Sequence, residues 1–186
     1  MRIISGQLKG TSIHFLKDKS TRPLKDSVKE NIFNILIHSN VLNVEIHNSN
    51  VLDLYSGIGS FGLECISRGA DKVTFVEQSK IVSNLLKKNL KKMSIFSRAR
   101  ILEDNIDNAL IKIKNESYNI FFLDPPFKDI KFVNSLEILK RSKVYKTRHI
   151  VIIHREIETK DNLEKFLNIL IVKKYRRSKI IFGTFN

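Results

Sequence analysis

The sequence is poor in cysteine, proline and acidic side chains, with one Cys, three Pro and 19 Asp and Glu in 186 residues. The single cysteine, Cys65, excludes an internal disulfide, and its position in a predicted helix indicates an inert buried thiol rather than a nucleophile. No apolar run approaches the roughly 20 residues that a membrane helix needs. We therefore expect no membrane association and one ordinary domain that folds without disulfides.

Metal chemistry and covalent catalysis are not indicated either. The five histidines show no metal-ligand spacing, and no serine or cysteine nucleophile lies near a plausible base, so we expect no metal and no covalent intermediate. The N-terminus, Met1–Gly10, has no apolar core segment and no small-residue cleavage site, so we expect no signal peptide. We expect a monomer in the reducing cytoplasm, a compartment that agrees with the lone cysteine.

Positive charge is in excess, because 33 Lys and Arg stand against 19 Asp and Glu and give a net charge of +14. From Lys140 to the C-terminus, 13 Lys and Arg stand against four Asp and Glu. Such an excess favours polyanionic partners, since each neutralised phosphate releases counterions. A lysine-rich composition bias, or lysines that protect a strand edge, gives the same pattern. Charge alone leaves these interpretations open.

Short apolar runs alternate with amphipathic stretches from about residue 49 onward, which is typical of a parallel sheet with helices on both faces. The predicted strands are Val51–Tyr55, Lys72–Val76, Ala99–Leu102, Tyr118–Leu123 and His149–Ile153, with Ile169–Lys174 and Lys179–Thr184 forming a C-terminal hairpin. The predicted helices cover residues 60–68, 79–93, 105–114 and 130–141. We expect one α/β catalytic domain over 49–186.

Residues 1–48 are predicted to form a small extension of this domain. Arg2–Ser5 and Ser12–Phe15 alternate apolar and polar side chains on either side of two glycines, which indicates a hairpin. A helix follows, with Asp26 or Ser27 as its N-cap. We therefore expect residues 1–48 to form a hairpin followed by a helix.

A glycine-rich loop follows the first strand of the sheet, at the strand end where parallel sheets collect ligands. Gly57 and Gly59 let the backbone turn sharply and approach a ligand closely. Glu77 ends the second strand, where its carboxylate can accept hydrogen bonds from ribose hydroxyls. The same spacing describes a dinucleotide-binding loop, or a plain tight turn. Asp53 favours S-adenosylmethionine, because a carboxylate attracts the cationic methionine end of that cofactor.

The fourth strand runs directly into Asp124-Pro125-Pro126-Phe127. Two consecutive prolines fix φ and remove two donors, so this loop presents rigid acceptors. The Asp124 carboxylate and the Pro125 carbonyl can both accept hydrogen bonds from an aromatic amine, favour a pyramidal nitrogen and direct its lone pair at a sulfonium methyl group. Phe127 either stacks on the extruded target base or packs beneath the loop. The motif predicts methylation of an exocyclic amine.

With these residues the chain resembles the bacterial 16S ribosomal RNA guanine-N2 methyltransferases of the RsmD family. The resemblance rests on Met1–Gly6, Lys9-Gly10, Thr21–Pro23, Val28–Glu30, Phe33–Leu36, Leu52–Glu64, Ser67–Ala70, Glu77 and Asp124–Phe127. It implies a Rossmann-like class I methyltransferase with a mostly parallel seven-stranded sheet. It also implies S-adenosylmethionine as cofactor and, as target, a guanine of ribosomal RNA within the small ribosomal subunit.

The resemblance also assigns roles residue by residue. Gly57 and Gly59 match the cofactor loop, Glu77 the ribose-binding acid, and Asp124 the catalytic acid. The family usually has an aspartate against the adenine amine where Asn105 stands here, and Asp104 precedes it. Either residue can serve that role, so both are candidates.

Arg22 in Thr21-Arg22-Pro23 is a candidate substrate-binding residue, because the triplet precedes a helix within the characteristic N-terminal block. Its guanidinium would meet an RNA phosphate or the cofactor carboxylate. A solvated arginine in a helix-entry loop is the alternative interpretation.

Three other functions fit parts of the sequence. A DNA adenine-N6 methyltransferase uses the same Asp-Pro-Pro motif, although this chain leaves no obvious room for a target-recognition region. A nicotinamide-dependent oxidoreductase fits the glycine loop but leaves Asp124–Phe127 unexplained. A non-catalytic RNA-binding module fits the charge alone.

Overall fold

The chain folds around one seven-stranded sheet in a computed structural model that describes residues 1–15 and 24–186. The strands are β1 Asn50–Leu54, β2 Lys72–Val76, β3 Ala99–Leu102, β4 Tyr118–Leu123, β5 Tyr145–Glu156, β6 Leu167–Lys174 and β7 Ser178–Phe185. The helices in the described ranges are α1 Asp26–His38, α2 Ser60–Ser67, α3 Lys80–Lys92, α4 Ile106–Lys112 and α5 Phe132–Ser142, with a 3-10 turn at Phe96–Arg98.

The sheet is mostly parallel, with strand order β3-β2-β1-β4-β5-β7-β6. β1 pairs in parallel with both β2 and β4, and β4 pairs in parallel with β5. β7 is antiparallel to β5 and β6, so the C-terminal hairpin closes one side of the sheet. The predicted mostly parallel seven-stranded α/β sheet is confirmed. The carboxyl ends of β1, β2, β4 and β5 meet at one edge, where parallel sheets bind ligands.

Helices cover both faces of the sheet because its central strands are apolar on both faces. One buried cluster joins the sheet to α1, α2 and α3 through residues such as Phe33, Phe61 and Leu86. The other joins it to α4 and α5 through Leu110 and Leu136. None of the helices within residues 1–15 and 24–186 is long and apolar enough to cross a membrane.

The predicted elements from residue 49 onward are all present, with bounds that differ by a few residues at their ends. The largest difference is in β5, predicted at His149–Ile153 and found at Tyr145–Glu156, because its polar ends pair with neighbouring strands despite breaking the apolar run. Strand pairing is a tertiary property that local hydrophobicity does not report.

One prediction for the N-terminal region needs correction, and another is met in a reduced form. The predicted hairpin pairs antiparallel through one bridge between Arg2 and Ser12, with the Ile3 N–H donating to the Thr11 carbonyl at 2.9 Å, and it contains no regular strands. The N-cap of α1 is Lys25, which makes no side-chain capping bond, in place of Asp26 or Ser27. The N-terminal segment is held by side chains of the main domain, so it needs neither a regular ladder nor a strong cap.

That attachment centres on Glu64 of α2, which is fully buried. Its Oε2 accepts from the backbone N–H of Ile4 at 2.8 Å, and its Oε1 accepts from that of Ser5 at 2.9 Å. Arg68 Nε also donates to Oε1, at 2.9 Å. One carboxylate therefore fixes the N-terminal segment against α2.

Lys29 of α1 completes this arrangement, which we call the Glu64 cluster (Lys29, Glu64 and Arg68). The Lys29 ammonium is buried, lies 3.6 Å from Glu64 Oε2 and donates to the Arg2 carbonyl at 2.9 Å. Burial lowers the pKa of Lys29, an effect that the nearby carboxylates of Glu64 and Asp26 oppose. Ile3 and Ile13 lie in the same buried cluster as α2. The division into 1–48 and 49–186 stays a prediction.

Candidate active site

A cavity of about 1110 Å³ lies at the carboxyl edge of the sheet. It is bounded by the ends of β1, β2, β4 and β5, the start of α1 and the turn between β6 and β7. The predicted site residues that line it are Asp53, Gly57, Glu77, Asp104, Asn105, Asp124, Pro125 and Phe127. Gly59 is not part of the lining, and Arg22 lies outside the described residues.

The loop after β1 turns sharply beside the end of β2. Tyr55 and Gly57 have positive φ angles of 59° and 56°, and the Ser56 N–H donates to the Val76 carbonyl at 3.0 Å. A Cβ built on Gly57 would meet nothing within 4 Å. The backbone at Gly57 therefore faces open cavity, as a close approach to a ligand requires.

Gly59 has a different role, since it precedes α2 and packs against α3. Its φ is +81°, and a Cβ there would lie 2.4 Å from Leu86 Cδ1 and 3.1 Å from Phe75 Cε1. The absence of a side chain at Gly59 thus permits the packing of two helices on the sheet. Its assignment to cofactor binding stays a prediction.

The two glycines give a first testable contrast. Gly59→Ala combines left-handed backbone strain with overpacking, and we expect a loss of about 2–5 kcal/mol in unfolding free energy. Gly57→Ala carries only the strain, about 1–2 kcal/mol, but places a methyl group in the cavity and lowers affinity for S-adenosylhomocysteine. Urea unfolding and calorimetric titration measure the two effects. Equal stability losses would contradict this division of roles.

Glu77 is held in a fixed orientation at the end of β2. Its Oε2 accepts from the Gly57 N–H at 2.9 Å and its Oε1 from the Ser79 N–H at 2.7 Å. Each carboxylate oxygen has a second lone pair. The carboxylate is therefore oriented by backbone donors and still able to accept from a ligand hydroxyl in the cavity.

Asp53 is buried below this loop, with 1% of its surface exposed. Its Oδ2 accepts from the Gly62 N–H at 3.0 Å, whereas its buried Oδ1 has no hydrogen-bond partner in the part of the chain that the structure describes. Burial raises the pKa of Asp53 well above its usual value; the Gly62 bond opposes this, and the charges of Asp124 and Glu77 add to it. A ligand cation beside Oδ1 would stabilise the ionised carboxylate.

Asp104 and Asn105 line the cavity where α4 begins. Asp104 Oδ2 pairs with Lys112 at 2.7 Å, and its Oδ1 accepts from Asn105 N–H and Asn108 Nδ2, both at 2.9 Å. Asn105 is the N-cap of α4, and its Oδ1 accepts from the Asn108 N–H at 2.9 Å. Both side chains are thus engaged locally, and the structure leaves both as candidates for the adenine contact.

The Asp124–Phe127 loop leaves β4 beside the end of β5. The Pro126 carbonyl accepts from the Asp129 N–H at 2.8 Å and from Arg155 Nη1 at 3.1 Å. Asp124 Oδ1 lies 2.9 Å from His154 Nδ1. No described residue donates to the Pro125 carbonyl. Asp124 Oδ2 and the Pro125 carbonyl are therefore the acceptors that this loop leaves for a substrate.

His154 and Arg155 of β5 are site residues that the sequence-based predictions missed. Arg155 is fully buried, pairs through Nε and Nη2 with both oxygens of Asp161 at 3.0 Å, and stacks 4.5 Å over the Phe132 ring. It therefore positions the Pro126 carbonyl rather than contacting the cavity. The sequence did contain a signal for these two residues: both are polar and follow directly after the predicted apolar strand His149–Ile153.

Phe127 stands at the cavity wall, half-buried, with its ring edge-on to His154 at a centroid distance of 6.1 Å. The loop continues to Asp129, whose Oδ2 accepts from the Tyr55 hydroxyl at 3.3 Å. This bond joins the loops after β1 and β4. Among the described residues, no group of three or more His, Cys, Asp or Glu is placed to hold a metal ion.

Comparisons with known proteins identify similar sequences over nearly the whole chain. The family model described as conserved hypothetical protein 95 matches residues 1–184. Ribosomal RNA small subunit methyltransferase D of Buchnera aphidicola subsp. Baizongia pistaciae is 34% identical over 181 residues, which cover 97% of this chain and 88% of that protein. The protein of the same name from Escherichia coli K12 is 30% identical over 158 residues, 85% of this chain and 76% of that protein.

Solved structures share the fold. The Escherichia coli protein yhhF is similar with a TM-score of 0.83 and 26% identity, over 100% of this chain and 98% of that chain. SMU.776 in complex with SAH is similar with a TM-score of 0.66 and 13% identity, over 84% of this chain and 49% of that chain. At 13% identity, the similarity to SMU.776 concerns the fold alone. It agrees with the predicted Rossmann-like class I fold.

Proposed function

We propose the function of this chain from one established premise: the chain belongs to the family described as conserved hypothetical protein 95. The predicted resemblance to the RsmD family is confirmed by relatives named ribosomal RNA small subunit methyltransferase D. The proposed reaction transfers a methyl group from S-adenosylmethionine to the exocyclic N2 amine of a guanine in 16S ribosomal RNA. The observation that carries this proposal is the pair of acceptors, Asp124 Oδ2 and the Pro125 carbonyl, at the end of β4.

These acceptors hold the target amine. Asp124 and the Pro125 carbonyl each accept one N–H of the guanine amine, which favours a pyramidal nitrogen and directs its lone pair into the cavity. As the nitrogen becomes positively charged on methylation, the Asp124 carboxylate stabilises that charge and accepts the N–H proton that the methylated amine must lose. His154, in the tautomer with a proton on Nδ1, donates to Asp124 Oδ1 and keeps Oδ2 turned to the substrate.

The residues around the glycine loop fit S-adenosylmethionine, which supplies an electrophilic methyl group on a sulfonium when bound. Because Gly57 has no side chain, the cofactor can lie close to its backbone. The Glu77 carboxylate, oriented by backbone donors, can accept hydrogen bonds from the ribose hydroxyls. The unpartnered Oδ1 of Asp53 suits the cationic methionine end. We assign the contact to the adenine amine to Asp104 or Asn105, which line the same cavity.

The target base must leave its helix or loop to reach this cavity. Phe127 lies next to Asp124 on the cavity wall, and we assign it the role of stacking on the extruded guanine. We propose that the RNA is presented within the small ribosomal subunit and that the chain acts as a cytoplasmic monomer. Arg22 remains a proposed contact to RNA phosphate or to the cofactor carboxylate.

The proposed reaction is tested by incubating small ribosomal subunits from a strain that lacks this protein with methyl-labelled S-adenosylmethionine. We expect label on N2 of a guanine in 16S ribosomal RNA and none on DNA offered in parallel. Label on DNA adenine would establish the DNA methyltransferase instead. Tight NAD binding with no response to S-adenosylhomocysteine would support an oxidoreductase, and RNA binding without methylation would support the non-catalytic module.

A further inference from the structure

The turn between β6 and β7 reaches the rim of the active-site cavity. Tyr175, Arg176, Arg177 and Ser178 all line the cavity that contains Asp124. The segment 173–179 has five Lys or Arg and no Asp or Glu. We call this segment the basic turn. It is the part of the positively charged C-terminal region that the fold brings to the site.

The basic turn is held rigidly against the segment that follows β5. The Tyr175 N–H donates to the Ser178 carbonyl at 2.7 Å, which closes the turn, and the Ile157 N–H donates to the Arg177 carbonyl at 3.2 Å. Lys179 Nζ donates to the Thr159 carbonyl. A fixed turn presents its side chains to a ligand at a low cost in conformational entropy.

Three side chains of this turn, those of Tyr175, Arg176 and Arg177, have polar ends without a partner within the part of the chain that the structure describes. Arg176 and Arg177 are exposed and form no ion pair with a described residue, although Glu156 and Glu158 line the same cavity. Tyr175 has a buried hydroxyl with no hydrogen-bond partner there. Two available guanidinium groups and one unpaired phenol at a cavity rim indicate a polar, anionic ligand that extends out of the cavity.

We propose that the basic turn clamps the RNA beside the methylated nucleotide. Arg176 and Arg177 bind the phosphates that flank the extruded nucleotide, because guanidinium groups match phosphate oxygens in geometry and charge. The Tyr175 hydroxyl bonds to the same nucleotide inside the cavity. The clamp rests on the proposed RNA methyltransferase function and adds to it a defined site of phosphate contact.

The clamp is tested with Arg176→Ala/Arg177→Ala, using the KM for small ribosomal subunits from a strain that lacks this protein. We expect KM to rise roughly tenfold or more at moderate salt, and the slope of log KM against log KCl concentration to fall by about 1 for each arginine. Affinity for S-adenosylhomocysteine should stay unchanged. Tyr175→Phe removes only the hydroxyl and should raise KM without changing the salt slope.

The matched control is Lys114→Ala/Arg148→Ala, which removes two exposed positive charges near the amino ends of the strands, away from the cavity. The clamp predicts a wild-type KM and salt slope for this control. Equal effects in the two double variants would overturn the clamp, as would an equal loss of S-adenosylhomocysteine affinity in the turn variant. Wild-type protein that methylates no RNA would overturn the proposed function instead.

Discussion

Replacing Asp124 with asparagine lowers kcat for methyl transfer by about 10²- to 10³-fold, the usual cost of losing one group that stabilises charge in a transition state. Asparagine keeps the shape of the side chain, and its oxygen can still accept from His154. The group then turned to the substrate is an NH2, which repels the N–H of the target amine and cannot stabilise its positive charge. The loss therefore falls on the chemical step.

Single-turnover methyl transfer at saturating subunit concentration measures this loss, with affinity for S-adenosylhomocysteine measured in parallel. We expect that affinity to remain, because Asp53 and Glu77 supply the cofactor contacts in the proposed function. Asp71→Asn is the control, an equal chemical change at an exposed residue before β2. Wild-type kcat in Asp124→Asn would show that the acceptor pair does not drive the reaction.

Replacing Glu64 with glutamine destabilises the fold by about 3–5 kcal/mol, because removing one partner of a buried ion pair leaves the other charge uncompensated. The Glu64 carboxylate accepts from Ile4, Ser5 and Arg68, and lies 3.6 Å from the buried Lys29 ammonium. A glutamine has one oxygen to replace two and puts N–H groups against these donors. The N-terminal segment then loses its main attachment to α2.

Urea unfolding of Glu64→Gln, Lys29→Met and the double variant forms a double-mutant cycle. The double variant should lose less than the sum of the single variants, since it removes the isolated charge that each single change leaves. Glu45→Gln, at an exposed position, should stay within about 0.5 kcal/mol of wild type. A Glu64→Gln loss no larger than that of Glu45→Gln would refute the structural role of this carboxylate.

The Glu64 cluster also explains the N-terminal motif. Met1–Gly6, Lys29 and Ser67-Arg68 are far apart in the sequence but meet around Glu64. A Cβ on Gly6 would lie 2.0 Å from the Ser67 carbonyl oxygen, so only glycine fits there. Three of the segments that carry the resemblance, Met1–Gly6, Val28–Glu30 and Ser67–Ala70, thus attach the first residues of the chain to α2.

The sequence by itself determined the alternation of strands and helices, the glycine loop and the Asp124–Phe127 motif, because each depends on neighbours within a few residues. Hydrophobic periodicity reports such local structure well. The strand assignments also placed Glu77 and Asp53 near the carboxyl edge of the sheet, since the carboxyl ends of parallel strands meet there. The different environments of Gly57 and Gly59 could not be predicted from the sequence, because the packing at Gly59 involves Leu86 in a different helix.

Tertiary structure alone decided which distant residues surround the reacting groups. His154 lies beside Asp124, although 30 residues separate them, because β5 follows β4 in the sheet. The basic turn reaches the same cavity because β7 pairs with β5 in the antiparallel sense. The order and direction of the strands determine these contacts. Neither can be predicted from the residue pattern of a single segment of the chain.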